Sequence, residues 1–332
     1  AAADHSEVDL GSIAGVSDIG SRHHHNEDAM GLAVGAGGTA AVVCDGVSSS
    51  NRPDTAATAA AIAATRVFAN RLAQTGHTQP AQSTAAPSKS DAASTDGRTD
   101  SAGSANSADS ADSVDSASSA PTADAMPAAN ARAAAPSEIG STATHEVQPS
   151  ASVTLLLDAG DAAQTAARLA GSQDSSPNPP STTFVAAVVT PADVTVGWVG
   201  DSRAYWLPDP GTDGEPLCLT VDDTLAGQLA AVGVAIATDS PNAGALIRWM
   251  GFDAHDTEPH TTTYVPPGPG RVIVCSDGLY RYASEPDELA AVTPAGRPID
   301  VASALVRLAL DAGGQDNVTV VVLPYSPELS AT

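Results

Sequence analysis

Cysteine is scarce in this sequence: among 332 residues only three occur, Cys44, Cys218 and Cys275. They are odd in number and widely spaced, with no C-x-x-C pair, which argues against a disulfide framework and against a zinc site. A protein with this cysteine usage is expected in a reducing compartment, by default the cytoplasm. Cys44 and Cys275 each end an apolar run, so we expect both to pack as small hydrophobic residues.

Basic residues and long apolar runs are scarce too. Lys and Arg total 14 against 39 Asp and Glu, and the formal net charge is −25. Nucleic acid and anionic membrane surfaces need a basic footprint, so neither is predicted as a partner. No apolar run approaches the roughly 18 residues of a transmembrane helix, so direct membrane insertion is not expected. A large acidic excess suits a protein that gathers divalent cations, although many acidic surfaces are merely solvated.

Aromatic residues are absent from residues 81–150, where Leu, Ile and Val are also almost absent. Ser, Ala, Asp, Thr, Pro and Gly dominate this stretch, and a short Ser-Ala-Asp repeat runs through residues 107–115. Such a segment cannot bury enough apolar surface to offset the entropy of ordering it. We therefore predict one phosphatase-sized domain over residues 1–332, interrupted by a disordered insertion at residues 81–150.

Outside the insertion, apolar runs separated by turn residues predict a series of strands and helices. The strands are predicted at residues 39–44, 183–189, 194–199, 203–207, 271–275 and 318–323. The helices are predicted at residues 54–73, 153–170 (with Gly171 as its C′ residue), 224–232, 242–250 and 300–312, and a capping box at residues 284–287 predicts another short one. Strands and helices come in blocks, which favours an α+β fold with mainly antiparallel sheets, and the three strands of residues 183–207 are expected to form a meander.

Four acidic clusters stand beside apolar strands: Asn26-Glu27-Asp28, Asp45-Gly46, Asp277-Gly278 and Asp316-Asn317. Any one of them alone reads as an ordinary turn, because Asp is common where strands end. If the strand ends converge, however, the carboxylates would repel and raise one another's pKa values. Divalent hard cations such as Mg²⁺ or Mn²⁺ relieve that repulsion, because they favour oxygen ligands. The glycines after Asp45 and Asp277 would let a backbone carbonyl join the coordination shell.

Six stretches, in this order, resemble the PPM/PP2C family of metal-dependent serine/threonine protein phosphatases in its bacterial form. They are GVSDIGSRHHHNEDAM, VVCDGVSS, STTFVAAVV, VGWVGDSRAYWL, VIVCSDGLY and GGQDNVTVVVL, and they cover nearly all of residues 11–325 except the insertion. Each stretch is a weak signal by itself, but six in the family's order are not a coincidence. The resemblance implies a β-sandwich of two mainly antiparallel sheets flanked by helix pairs, with two or three Mn²⁺ or Mg²⁺ ions in a cleft at one edge.

The resemblance also implies which residues hold the metal ions: Glu27, Asp28, Asp45, Gly46, Asp201, Asp277 and Asp316. Asp45 would bridge two ions, and the carbonyl of the following glycine would bind one of them. Asp277 and Asp316 would complete the first site, the Glu-Asp pair would serve the second, and Asp201 would bind a third, weaker ion together with Asp277. A water between the metals, ionised near neutral pH, would attack the phosphorus of phosphoserine or phosphothreonine in line, without a covalent phosphoenzyme.

Two positions depart from the family's pattern. The family's phosphate-clamping Arg commonly lies four residues before the Glu of the acidic pair, and here that residue is His23. Arg22, one residue further back, is therefore the candidate for a bidentate contact to the phosphate. Many eukaryotic members have His after the first Asp-Gly, proposed as a general acid, and here Val47 stands there. The proton for the leaving group would then come from metal-bound water or another group.

The implied partners are phosphorylated proteins, targets of bacterial serine/threonine kinases, and a monomer is expected. Three other functions stay open: a pseudophosphatase without turnover, a regulatory phosphatase dedicated to one partner such as an anti-sigma-factor antagonist, and an acidic scaffold in which the insertion does the work. The presence of Asp at all four metal-ligand Asp positions argues against the first, and the GDSR and QDNV stretches favour the general bacterial branch over the second. Deleting residues 81–150 would test the third.

Overall fold

The structure, a computed structural model, describes residues 4–74, 149–231, 233–234 and 243–327. All of these residues belong to one of the two units into which the chain divides, which comprises Ala1–Gln79 and Gln148–Thr332. The segments on either side of the predicted insertion therefore build the same fold. Of the insertion itself, residues 81–148 lie outside the described residues.

Two antiparallel sheets form the centre of the fold. Their strands are β1 His5–Asp9, β2 Ala14–Asp18, β3 Ala29–Gly35, β4 Gly38–Cys44, β5 Ser181–Thr182, β6 Phe184–Val189, β7 Val194–Val199, β8 Arg203–Pro208, β9 Leu217–Cys218, β10 Met250–Gly251, β11 His260–Tyr264, β12 Gly270–Cys275 and β13 Val318–Tyr325. One sheet has the strand order β1-β2-β13-β12-β8-β9 and the other has the order β11-β7-β6-β4-β3, while β5 and β10 form a small ribbon.

Helices cover the outer face of each sheet. They are α1 Pro53–Gln74, α2 Ala151–Gly171, α3 Leu225–Ala231, α4 Asp277–Tyr280, α5 Pro286–Val292 and α6 Pro298–Asp311. α1 and α2 pack on the five-stranded sheet, and α4, α5 and α6 pack on the six-stranded sheet. The predicted α+β sandwich flanked by helices is thus confirmed. In the part of the chain that the structure describes, no helix combines the length and apolar character needed to cross a membrane.

Side-chain alternation along the central strands builds the layers. In β12, Val272 and Val274 face the core between the sheets, whereas Ile273 and Cys275 face the helices. A strand places successive side chains on opposite faces, and here both faces are covered. This is why the strand reads in the sequence as the continuous apolar run RVIVC rather than as an alternating pattern.

The predicted meander of residues 183–207 is wrong. β6 and β7 pair with each other as predicted, but β8 belongs to the other sheet and pairs with β12. The chain changes sheets at Gly200, whose φ of 106° is a conformation that side chains rarely adopt. The next residue, Asp201, therefore lies on a connection between the two sheets rather than in a hairpin.

Three local predictions are also corrected. The helix predicted at residues 242–250 is wrong where the chain is described: Leu246 bridges to Thr224, and β10 begins at Met250. Gly171 is the last residue of α2 instead of its C′ residue, because the helix runs one residue further than predicted. The capping box begins at Glu285, one residue later than predicted, since α5 begins at Pro286.

The structure also refines the end of the predicted insertion. Ser150 belongs to the fold, because its side chain accepts a hydrogen bond from the Val153 N–H at 3.2 Å as the N-cap of α2. Gln74 and Ala151 line one cavity, so the end of α1 and the start of α2 are close together. A short linker can therefore replace residues 75–148.

Replacing residues 75–148 by a Gly/Ser linker of about eight residues is expected to leave the free energy of unfolding unchanged or up to about 2 kcal/mol higher, because loop-closure entropy changes by only about 0.6 kcal/mol per halving of loop length. Urea denaturation measures this. Limited proteolysis of the parent should cut first within residues 75–148 and leave two associated fragments. Loss of cooperative unfolding in the linker variant would show that the segment is part of the fold.

Candidate functional site

Hydrogen bonds tie the four acidic clusters together. The Glu27 carbonyl accepts from the Gly46 N–H at 3.2 Å, and the Glu27 N–H donates to Asn317 Oδ1 at 2.8 Å. Ser276 Oγ donates to Asp28 Oδ2 at 2.7 Å. The ends of β4 and β12 and the beginning of β13 are therefore all held against residues 26–28. The structure thus brings together segments that lie up to about three hundred positions apart in the chain.

Two glycines allow this close approach. A Cβ atom on Gly46 would lie 2.8 Å from the Glu27 carbonyl oxygen, and one on Gly278 would collide with the Asn317 carbonyl oxygen. The absence of a side chain therefore lets two neighbouring segments lie against their partners. One of these contacts places α4, which begins at Asp277, directly beside the Asp-Asn turn that precedes β13.

Gly278→Ala is expected to destabilise the fold by about 1–3 kcal/mol, the usual cost of forcing atoms into a packed position. Because the collision is with the backbone of Asn317, the segments of Asp277 and Asp316 must move apart, and Mn²⁺ affinity measured by calorimetry should fall as well. Gly268→Ala is the control, since a methyl group there would lie 3.5 Å from Thr212 Cβ, an ordinary contact. Parent-like Mn²⁺ affinity in Gly278→Ala would contradict the importance of this approach.

Burial and mutual repulsion raise the pKa values of four carboxyl groups. Desolvation raises the pKa of Asp45 well above its usual range, and the charges of Asp28, Asp277, Asp201 and Asp316 raise it further. Desolvation also raises the pKa of Asp28. For Asp201, desolvation and the charge of Asp277 raise the pKa to about 7. The pKa of Asp277 is raised by desolvation although a neighbouring arginine opposes the shift. These groups therefore act on one another as a single charged cluster.

The donor set of this cluster fits hard divalent cations. All its side-chain donors are carboxylate oxygens, which Mg²⁺ and Mn²⁺ prefer. Asp28 Oδ1 is buried and has no hydrogen-bond partner among the described residues, an unfavourable state for a carboxylate oxygen unless a cation satisfies it. Within the described ranges, no three His, Cys, Asp or Glu side chains already surround one point as ligands. The fit is therefore one of chemistry and charge.

His23, rather than Arg22, contacts the cluster from the N-terminal side. His23 Nε2 lies 3.0 Å from Asp316 Oδ1, and its Nδ1 lies 4.0 Å from Glu27 Oε2. Arg22 is exposed and forms no hydrogen bond or ion pair with the other described residues. The structure therefore places the predicted phosphate-binding residue, Arg22, apart from the carboxylates that it was expected to serve.

Arg281 is a contact that was not predicted from the sequence. Its guanidinium pairs with Asp277 through Nε and Nη2 and with Asp316 Oδ2 through Nη2 at 3.1 Å. Asp and Arg four positions apart are neighbours on a helix, which is the signal that could have found this pair. The signal was hidden because residues 276–278 resemble a turn, whereas α4 begins at Asp277.

A separate buried network holds the turn that carries Asp201. Asp223 accepts hydrogen bonds from the Gly200 N–H at 3.0 Å and from Arg248 Nη1 at 3.2 Å, and its other oxygen lies 3.0 Å from His260 Nε2. The Gly200 carbonyl in turn accepts from the Asp223 N–H at 2.9 Å. The backbone immediately before Asp201 is therefore anchored by a carboxylate outside the cluster.

Asp222 anchors the other side of the same turn. It accepts two hydrogen bonds from Arg203, at 2.9 and 2.8 Å, in a bidentate pair. The Arg203 guanidinium also lies over the ring of Tyr280, 3.9 Å from its centroid. Because Tyr280 belongs to the same helix as Asp277, this arginine connects the turn of Asp201 to α4.

Comparison with known proteins gives matches at both the family and the sequence level. The model of the Protein phosphatase 2C family matches residues 15–303. Serine/threonine protein phosphatase PstP of Mycobacterium tuberculosis is 35% identical over 127 residues, which are 37% of this chain and 23% of PstP. Serine/threonine phosphatase stp of Listeria monocytogenes is 29% identical over 148 residues, 43% of this chain and 56% of stp. The matched region thus spans about a quarter of the first relative and just over half of the second.

Solved structures share the architecture at lower identity. Serine/threonine phosphatase Stp1 from Staphylococcus aureus has a TM-score of 0.60 at 18% identity, covering 95% of this chain and 94% of that one. The M. tuberculosis phosphatase PstP/Ppp has a TM-score of 0.56 at 21% identity, covering 95% and 98%. The catalytic domain of PstP in complex with two manganese ions has a TM-score of 0.53 at 21% identity, with the same coverage. At these identities the likeness establishes the fold.

Proposed function

We propose that this chain, which belongs to the protein phosphatase 2C family, is a metal-dependent phosphatase that hydrolyses phosphoserine and phosphothreonine in proteins. The observation that carries the proposal is the gathering of Asp28, Asp45, Asp201 and Asp277 in one cluster, where burial raises all four pKa values. Such a cluster is unfavourable without cations and becomes favourable when divalent ions bind it.

Two or three Mn²⁺ or Mg²⁺ ions are the cofactors in this proposal. The residues that would hold them are Glu27, Asp28, Asp45, Gly46 through its carbonyl, Asp201, Asp277 and Asp316. Asp45 is the central ligand, because its carboxylate feels the charges of four of the others. When bound, the ions would supply an ionised water as the nucleophile and neutralise the phosphoryl oxygens.

The protein's own part is to hold these carboxylates in place. The Asp45 N–H donates to Thr183 Oγ1 at 3.0 Å, and the Asp45 carbonyl accepts from the Thr183 N–H at 2.8 Å. Ser48 Oγ donates to Glu27 Oε2 at 2.9 Å, which orients that carboxylate. Ser48 also lines a cavity of about 590 Å³ together with Trp249, and this cavity is where residues flanking the phosphorylated side chain would lie.

The substrates in this proposal are phosphorylated proteins, targets of serine/threonine kinases, and the enzyme is a cytoplasmic monomer. Three free cysteines, two of them buried, agree with a reducing compartment. The alternative of a regulatory phosphatase for one dedicated partner is distinguished by turnover: such an enzyme would leave unrelated phosphopeptides intact. A pseudophosphatase would bind phosphopeptides and hydrolyse none.

Hydrolysis of a phosphothreonine peptide with and without Mn²⁺ tests the proposal. Chelator-treated protein is expected to be inactive and to recover with Mn²⁺ or Mg²⁺, because the cluster offers carboxylates and no nucleophile–base pair. Phosphotyrosine peptides of the same sequence should react more slowly. Undiminished turnover after thorough chelation would reject the metal mechanism, and absence of turnover on every peptide with Mn²⁺ present would favour the pseudophosphatase.

A further inference from the structure

A phosphate monoester needs a cationic donor beside the metal cluster, and the described residues offer few. His23 and Arg281 are the cations in contact with Asp316. Both ring nitrogens of His23 already face carboxylates, at 3.0 Å and 4.0 Å, so neither is directed toward a further anion. Arg22 is exposed and has no described contact that would hold it near the site.

The guanidinium of Arg281, in contrast, is fixed by one edge and open at the other. Its Nε and Nη2 donate to the carboxylates of Asp277 and Asp316, while Nη1 makes no hydrogen bond with the described residues. The side chain is 46% exposed, so this open edge is accessible. Arginine presents five N–H donors in a planar fork, and this makes it a common partner of phosphate oxygens.

Arg281 also leaves the carboxylates able to bind cations. It uses Oδ2 of Asp277 and Oδ2 of Asp316, so the Oδ1 atom of each is not engaged by this arginine. The backbone holds the arrangement as well, because the Arg281 N–H donates to the Asp277 carbonyl at 3.1 Å at the end of α4. A guanidinium bound in this way is already in place before substrate arrives, so little of its entropy is lost on binding phosphate.

We propose that Arg281 is the phosphate-binding arginine of this protein, with Nη1 donating to a phosphoryl oxygen of the substrate and of the phosphate product. The proposal rests on the proposed function, since it names a binding residue of the same site. It replaces Arg22 in that role. The substrate contact comes from the residue after α4 and not from the segment that precedes the acidic pair.

The test measures binding of inorganic phosphate by calorimetry in the presence of Mn²⁺, together with the KM for a phosphothreonine peptide. Arg281→Ala is expected to weaken phosphate binding and to raise KM by about tenfold or more, as for loss of a hydrogen bond between charged groups. Arg281→Lys, which keeps the charge and loses the fork, should be intermediate and guards against misfolding of the alanine variant. Arg297→Ala removes another exposed Arg–Asp pair and serves as the control.

Mn²⁺ binding separates a phosphate contact from a structural role. If Arg281 binds phosphate, the alanine variant should bind Mn²⁺ as tightly as the parent or more tightly, because a positive charge has left the cluster. Weaker Mn²⁺ binding in parallel with weaker phosphate binding would mean that Arg281 only positions Asp277, and the proposal would be overturned. Unchanged phosphate binding in Arg281→Ala, or loss of it in Arg22→Ala instead, would also overturn it. Phosphate binding requires no turnover, so an inactive parent would count against the proposed function alone.

Discussion

Asp45→Asn is expected to lower phosphopeptide hydrolysis by at least about 10³-fold, to the level of the chelated parent, and changing Asp45, Asp277 and Asp316 together should lower it little further. The Asp45 carboxylate is the one on which the other cluster charges all act, so neutralising it weakens every proposed metal position at once. Residues that act as one unit have non-additive effects, because losing any member already removes the function.

Asp201→Asn is the contrasting variant within the same prediction. Asp201 is held by its own network, so its loss should leave the tight Mn²⁺ sites occupied in calorimetry while turnover falls. Asp300→Asn, which breaks an exposed pair with Arg297, should behave like the parent. If Asp45→Asn still binds two ions tightly and hydrolyses phosphopeptide at a rate near the parent's, the central role of Asp45 is wrong.

Asp223→Ala is expected to reduce the free energy of unfolding by about 3–5 kcal/mol, the typical cost of removing one partner from a buried ion pair. The side chains of Arg248 and Asp223 are only 10% and 8% exposed. Without the carboxylate, the guanidinium and the Gly200 N–H would both lose their buried acceptor. Denaturant unfolding with an unchanged m-value would measure the loss.

Asp256→Ala is the matched control for this change. Asp256 pairs with the same arginine at 2.9 Å, but its side chain is 72% exposed, so its loss should cost less than about 1 kcal/mol. Equal destabilisation by the two substitutions would contradict the argument from burial. Because Asp223 anchors Gly200, we also expect its loss to weaken the third-ion contribution of Asp201 in folded protein at low temperature.

The two failed structural predictions show where local pattern stops being informative. In β8, Tyr205 packs toward the helices and Trp206 packs between the sheets, so both faces are apolar and the pattern cannot reveal which sheet the strand joins. In residues 243–250 the helical pattern is overridden by tertiary hydrogen bonds: the carbonyls of Ala243 and Ala245 accept from the first N–H groups of α3. Those N–H groups have no partner within their own helix.

The sequence by itself determined the family, the sandwich of helices and antiparallel strands, and the position of Asp45, Asp277 and Asp316 at strand ends. These features are local or depend on the order of motifs, because strand periodicity and Asp-Gly or Asp-Asn turns are encoded within a few residues. The tertiary structure alone decided which charged groups meet. The contacts of Arg281 with Asp316 and of Asp223 with Gly200 join segments whose separation depends on strand register and on the change of sheet at Gly200. A contact between distant residues is a property of the packed chain, and no local stretch contains it.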